Sequence, residues 1–204
     1  MNIVFDFGGV LLRWQPQEFI QRLLPRQVPD ADAARVLVAS FFEGFGGDWG
    51  EFDRGTIARE PLAERIAQRT GLALAEVNAV IDAVPHELQP IEPMVALLRR
   101  LHERGHALYF LSNMPAAYAD HLDATLAFIG LFRAGVYSAR VRMIKPEAAI
   151  FAHAAAAFGI EAADTLFIDD VLRNAEAARA AGWQALHFRD PAQCEAELAR
   201  RGLL

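Results

Sequence analysis

Five short, largely apolar runs punctuate this chain: Ile3 to Phe5, Ala107 to Leu111, Gly135 to Ser138, Thr165 to Ile168 and Ala185 to Phe188. They are continuous rather than alternating, the pattern of strands covered on both faces in a parallel sheet. Helical periodicity fills the intervals between the later runs. Pro93 to Arg104 places Met94, Leu97, Leu98 and Leu101 on one stripe and stops at Gly105. Glu147 to Phe158 follows Pro146 and ends at Gly159, and Ala175 to Ala181 ends at Gly182. This alternation beyond residue 90 predicts an α/β domain with a Rossmann-like, doubly wound parallel sheet.

The stretch from Pro16 to Pro85 is patterned differently. It carries no convincing strand, and helices are expected over Pro16 to Leu24, Asp32 to Phe42, Thr56 to Thr70 and Leu74 to Val84. Gly44, Gly46 and Gly47 separate the second from the third. Such a block is read as a helical cap, residues 16–85, inserted into a core made of residues 1–15 and 86–204. Trp14, Phe41, Phe42, Phe45 and Trp49 are candidates to roof a pocket, with mutual packing in the cap's own core as the competing expectation. The run Glu51-Phe52-Asp53-Arg54-Gly55 is read either as presenting a charged side chain toward the site or as a solvated loop.

Composition narrows the function classes. With 204 residues, 53% of them hydrophobic, the chain can bury a sizeable core, and disorder is excluded. The net charge of −6 gives no basic footprint for nucleic acid. A negative protein acting on an anion must gather positive charge locally, from a metal, a lysine or a helix N-terminus. Cys194 is the one cysteine, so no internal disulfide forms; it is read as a small residue near the surface of a late helix. No secretory signal and no membrane-length apolar run is found, and the expectation is a cytoplasmic monomer or homodimer. The six histidines show no metal-ligand spacing.

Four polar islands follow the strand candidates, at the edge where open α/β sheets bind ligands. In VFDFGGVLL, residues 4–12, Asp6 closes the first strand; an Asp there can cap a turn, or attack phosphorus to form an acyl phosphate. In FLSNMP, residues 110–115, Ser112 and Asn113 can cap a helix or hold phosphoryl oxygens. In RMIKPEAAIF, residues 142–151, Lys145 is a surface lysine or a reach toward a phosphoryl group. In LFIDD, residues 166–170, Asp169 and Asp170 repel each other unless solvated or bridged by a cation such as Mg²⁺, and Asn174 lies close behind.

In this order, D-x-G-G-V, S-N, K-P and D-D, the islands resemble those of the haloacid dehalogenase-like hydrolase superfamily, across nearly the whole chain. The resemblance implies an aspartate nucleophile at Asp6 and Mg²⁺ held by Asp6, the Gly8 carbonyl and Asp170. It also implies phosphate binding by Ser112 and Lys145, Asp169 close to the metal, Asn113 lining the pocket, and a small phosphorylated metabolite as substrate. One position departs from the pattern. Phosphatases of the superfamily carry a second Asp two residues after the nucleophile, which protonates the leaving oxygen; here that position is Gly8. The D-x-G variant, with VRMIKPEAAIF and FIDD, resembles a bacterial subgroup that includes α-D-glucose-1-phosphate phosphatase, which implies a sugar phosphate such as a hexose-1-phosphate. Two alternatives compete. A 2-haloacid dehalogenase needs no proton for the departing halide but needs an arginine near the nucleophile, for which Arg13 is the candidate. A phosphate-binding protein with weak turnover also accommodates Gly8.

Overall fold

The computed structural model describes residues 1–44 and 46–204; Phe45, one of the proposed roof aromatics, lies outside them. The chain opens with β1 (Asn2–Phe5) and then runs through α1 (Pro16–Leu23), α2 (Ala31–Phe42), α3 (Asp48–Arg54), α4 (Arg59–Thr70) and α5 (Leu74–Glu87). There follow α6 (Glu92–Glu103), β2 (Ala107–Ser112), α7 (Ala116–Thr125), β3 (Ala134–Tyr137), α8 (Ser138–Val141) and α9 (Ala148–Phe158). The chain closes with β4 (Thr165–Asp169), α10 (Leu172–Ala180), β5 (Gln184–His187) and α11 (Pro191–Arg200).

The five strands form one parallel sheet in the order β3-β2-β1-β4-β5. The first strand is central, and the chain winds outward on one side through β2 and β3 before crossing to β4 and β5. The reversal of winding therefore falls between β1 and β4, the place where such sheets leave a crevice for ligand. Burial explains why the strands read as unbroken apolar runs. Ile3, Phe5, Leu108, Phe110, Leu166 and Ile168 join one core with the inserted helices, α6 and α11. Their neighbours Val4, Tyr109, Leu111 and Phe167 join a second core with Ile150, Phe151 and Ala154 of α9. Truncating a fully buried ring such as Phe167 to alanine would cost about 3–5 kcal/mol.

Among the described residues every element between β1 and α6 is a helix, as expected, and the fourth expected helix continues past Val84 to Glu87. Of the two readings of the run from Glu51 to Gly55, the solvated loop fails: Glu51 to Arg54 is the C-terminal part of α3, and Gly55 is its left-handed C-cap. Local propensity is poor there, with Gly50 and two aspartates in seven residues. Tertiary contacts supply the helix: Trp49 packs on Phe42 and Phe52, and Asp48 at the first turn pairs with Arg65 and Arg69. A second expectation is corrected at Cys194, which is fully buried in α11; burial pushes its thiol up to about 12, so it is a packed, unreactive side chain. Among the described residues no helix is long and apolar enough to cross a membrane.

Candidate active site

The carboxyl edge of the sheet gathers all four islands. Asp6 follows β1, and its backbone N–H bonds Ile168 O at 2.9 Å, continuing the pairing with β4. One carboxylate oxygen of Asp6 accepts from Phe7 N at 2.7 Å and from Lys145 Nζ at 2.8 Å. Its other oxygen has no hydrogen-bond partner among the described residues, and Asp6 borders the cavity described below. Lys145 is buried and makes a second ion pair, to Asp169 Oδ2 at 2.7 Å. Its backbone is held at both ends by one side-chain amide: Asn113 Nδ2 donates to Lys145 O at 3.0 Å, and Lys145 N donates to Asn113 Oδ1 at 2.8 Å. Asn113 borders the cavity, but its amide is engaged in aiming the lysine.

The two adjacent aspartates have different work. Both oxygens of Asp169 are occupied: Oδ2 by Lys145, Oδ1 by Val171 N at 2.8 Å, and both by Asn174 Nδ2 at 3.1 Å. Asp169 is thus an anchor for Lys145 and for the turn into α10. Asp170 lies half-buried with its carboxyl against Gly9. A Cβ on Gly9 would sit 2.3 Å from Asp170 Oδ2, and Gly9 has a φ of +79°, so both the close approach and the backbone conformation require glycine. His187 Nε2 lies 2.9 Å from Asp170 O and steadies this turn from β5. Ser112 ends β2, is buried, and its hydroxyl has no partner among the described residues, which leaves it free for a ligand oxygen.

Charge in this cluster does not balance. Burial pushes the Asp6 carboxyl upward against the pull of Lys145, and Asp169 and Asp170 add repulsion. Asp170 is raised by burial and by Asp169. Burial works against the Lys145 ammonium, but Asp169 and Asp6 more than offset it, and its pKa lies above the usual lysine value. One ammonium thus faces three carboxylates whose oxygens lie within 4.8 Å of one another. Asp6 and Asp170 each offer oxygen that no protein donor has taken, and the Gly8 carbonyl accepts no bond among the described residues. An all-oxygen, anionic set of this kind fits a hard divalent cation.

Above the floor lies a cavity of about 490 Å³. Asp6, Gly8, Ser112, Lys145 and Asp170 border its base, and Trp14, Phe42, Trp49, Val84, Leu88 and Met114 form much of its wall. The aromatic expectation is met in both senses: Trp14 and Trp49 each meet Phe42 edge to face and all three line the cavity, whereas Phe41 is fully buried beside Phe42 and Trp49. Arg13 is elsewhere, exposed and paired with Gln15 and Glu18 in a separate cleft. Two contributors were not singled out by the sequence. Ser138 is buried, accepts from Met114 N at 2.8 Å and donates to Asp53 O, joining α3 to the loop after β2. Asp53, not named individually but part of the run read as presenting a charged side chain toward the site, is a buried cavity residue, as that reading has it. Its spacing of four from Trp49 would place both on one helix face, but only once a helix is assumed there.

Comparison with known proteins agrees with this geometry. The family model for "haloacid dehalogenase-like hydrolase" matches residues 1–182. A sesquiterpene phosphatase, astK of Aspergillus oryzae, is 30% identical over 187 residues, 92% of this chain and 89% of that protein. Among solved structures, the HAD family enzyme bt-2542 of Bacteroides thetaiotaomicron, crystallised with magnesium and inorganic phosphate, superposes with a TM-score of 0.71 at 21% identity, over 92% of this chain and 93% of that one. The L-2-haloacid dehalogenase RSc1362 superposes with a TM-score of 0.68 at 22% identity, over 90% and 84%. The sheet order, the convergent islands and the extent of the family match together make this chain a member of the haloacid dehalogenase-like hydrolase family.

Proposed function

We propose that the enzyme is a Mg²⁺-dependent phosphatase acting on the phosphomonoester of a predominantly apolar alcohol, with residues 16–85 as the cap that selects it. The observation that carries the substrate class is the cavity wall, where aromatic and aliphatic side chains face the space an alcohol would fill. A hexose would lose water from its hydroxyls there with few groups to replace it. The relative that acts on a sesquiterpene phosphate supports the same reading.

Asp6 attacks phosphorus, while Phe7 N–H and Lys145 hold its carboxylate in place. Ser112 and Lys145 bind phosphoryl oxygens, and Asn113 and Asp169 keep the lysine aimed. Asp6, Asp170 and the Gly8 carbonyl would hold Mg²⁺, which supplies charge compensation for the phosphoryl group. Water then hydrolyses the aspartyl phosphate. A dehalogenase reading is disfavoured: no arginine borders the cavity among the described residues, and Arg13 points into another cleft. Carboxylates around the nucleophile would also repel a haloacid.

A series of n-alkyl phosphates tests the proposal, with Mg²⁺ present or chelated and with hexose phosphates alongside. Each buried methylene is worth about 0.8 kcal/mol, so kcat/KM should climb roughly fourfold per added carbon until the cavity is full, and fall to background with chelator. A flat series, or a hexose-1-phosphate outrunning all of them, would overturn the substrate class. Phosphate binding without any turnover would restore the reading of a binding protein.

A further inference from the structure

Position 8 supplies no acid, yet an alkoxide leaving from phosphorus needs a proton. We propose that Asp53, on the inserted helix α3, is that proton donor. The inference rests on the phosphatase reading above and adds a catalytic residue to it.

The geometry comes first. Attack by Asp6 from the sheet side is in line, so the ester oxygen must leave on the opposite side, toward the inserted helices. Asp53 borders the cavity from there. It is 5% exposed, and its carboxyl has no hydrogen-bond or ion-pair partner among the described residues. Lys145 and Asp6 act on it electrostatically from the site below. As a purely structural residue it makes little sense: a carboxyl with no partner, buried, in the last turn of a helix where the dipole disfavours negative charge.

Its placement, by contrast, is secured three times over. The backbone carbonyl of Asp53 accepts from the buried Ser138 hydroxyl. Arg54 forms a two-point pair with Glu147, Nη1 to Oε2 at 2.8 Å and Nη2 to Oε1 at 2.5 Å. Gly55 comes so close to α8 that a Cβ would lie 2.8 Å from Ala139 O, on a backbone with φ of +75°. Three consecutive residues thus lock the end of α3 onto the segment between β3 and α9. Burial, partly countered by Lys145, pushes the Asp53 carboxyl up to about 8, so it carries its proton at neutral pH.

The step balances. The bond from Asp6 to phosphorus forms as the phosphorus–oxygen ester bond breaks, and the Asp53 proton passes to the departing oxygen, leaving a carboxylate and a neutral alcohol. That carboxylate then takes a proton from the water that attacks the aspartyl phosphate. Inorganic phosphate and free Asp6 result, and Asp53 is protonated again.

The test compares n-decyl phosphate, whose alkoxide needs a proton, with p-nitrophenyl phosphate, whose phenolate does not, in wild type and Asp53→Asn with Mg²⁺. Alcohol released in the first turnover should slow by about 10²–10⁴-fold for the decyl ester, with a loss at least about tenfold smaller for the aryl ester. In wild type, the decyl rate should fall above about pH 8 while the aryl rate does not follow. Equal losses on both esters, or no loss on the decyl ester, would overturn the role of Asp53 and leave the phosphatase reading standing. A wild-type enzyme that hydrolyses neither ester would sink that reading, and this inference with it. Should the variant fold poorly, the wild-type pH profiles decide alone: parallel profiles for the two esters refute the proposal.

Discussion

The floor and the roof of this cavity solve opposite electrostatic problems. On the floor, Asp6, Asp169 and Asp170 share one lysine; Asn113 and Asp169 hold Lys145, and Asn174 and Val171 hold Asp169, while one oxygen of Asp6, the Asp170 carboxyl and the Ser112 hydroxyl are left for a cation and a ligand. The roof is largely apolar, and Asp53, its one buried carboxyl among the described residues, has no such neighbour. Burial raises both Asp6 and Asp53 to about 8, so burial alone does not separate them. The difference lies in their partners: Asp6 has the Lys145 ammonium beside it and, with Asp170, a set of oxygens that fits a cation, and these positive charges favour its charged form, whereas the Asp53 carboxyl has no hydrogen-bonded or ion-paired partner among the described residues.

Three substitutions would break or sharpen this contrast. The largest effect is expected from Asp6→Asn, which removes the nucleophile but fills the same volume: phosphate release should fall by about 10⁴-fold or more, with thermal unfolding at or above the wild-type temperature. Wild-type turnover in that variant would end the mechanism. An intermediate effect should follow from moving the acid from roof to floor. A Cβ on Gly8 meets only Trp14 Cβ, at 4.0 Å, so Gly8→Asp is sterically admissible. Added to Asp53→Asn, it should restore alkyl phosphate turnover by about tenfold or more, and no gain would mean that the floor cannot deliver a proton to the leaving oxygen. The smallest effect belongs to Arg54→Gln. Its pair with Glu147 is part-exposed, so unfolding experiments should register a loss of no more than about 1 kcal/mol. A loss of several kcal/mol would show that the latch between α3 and the core is a pillar of the fold rather than a positioning contact.

Legibility followed the same division. The strand runs place Asp6, Ser112 and Asp170 at the end of an element, and the structure departs from those runs by about one residue at either end, as at β3, which ends at Tyr137 and leaves Ser138 to begin α8. The placing of Asp6, Ser112 and Asp170 was therefore readable in advance, since an apolar run followed by polar residues is a local signal; Lys145 lies beyond α8 and carries no such signal. The distinct tasks of Asp169 and Asp170 were not, because two identical neighbours differ only in which atoms surround them. The roof was less legible still. Residues 48–54 have weak helical propensity and become α3 because Trp49 and Phe52 find aromatic partners contributed by distant segments, Phe42 and Tyr118.

By itself the sequence determined the doubly wound sheet, the inserted helices and the four chemical islands, because apolar periodicity and strand-end residues act over a few positions and survive in one dimension. Only the tertiary structure decided that Asp169 anchors while Asp170 stays available, that Cys194 is buried, and that the buried Asp53 borders the cavity. Those are properties of desolvation and of partners drawn from remote parts of the chain, and a carboxyl's proton depends on what surrounds it in space rather than on what precedes it in sequence.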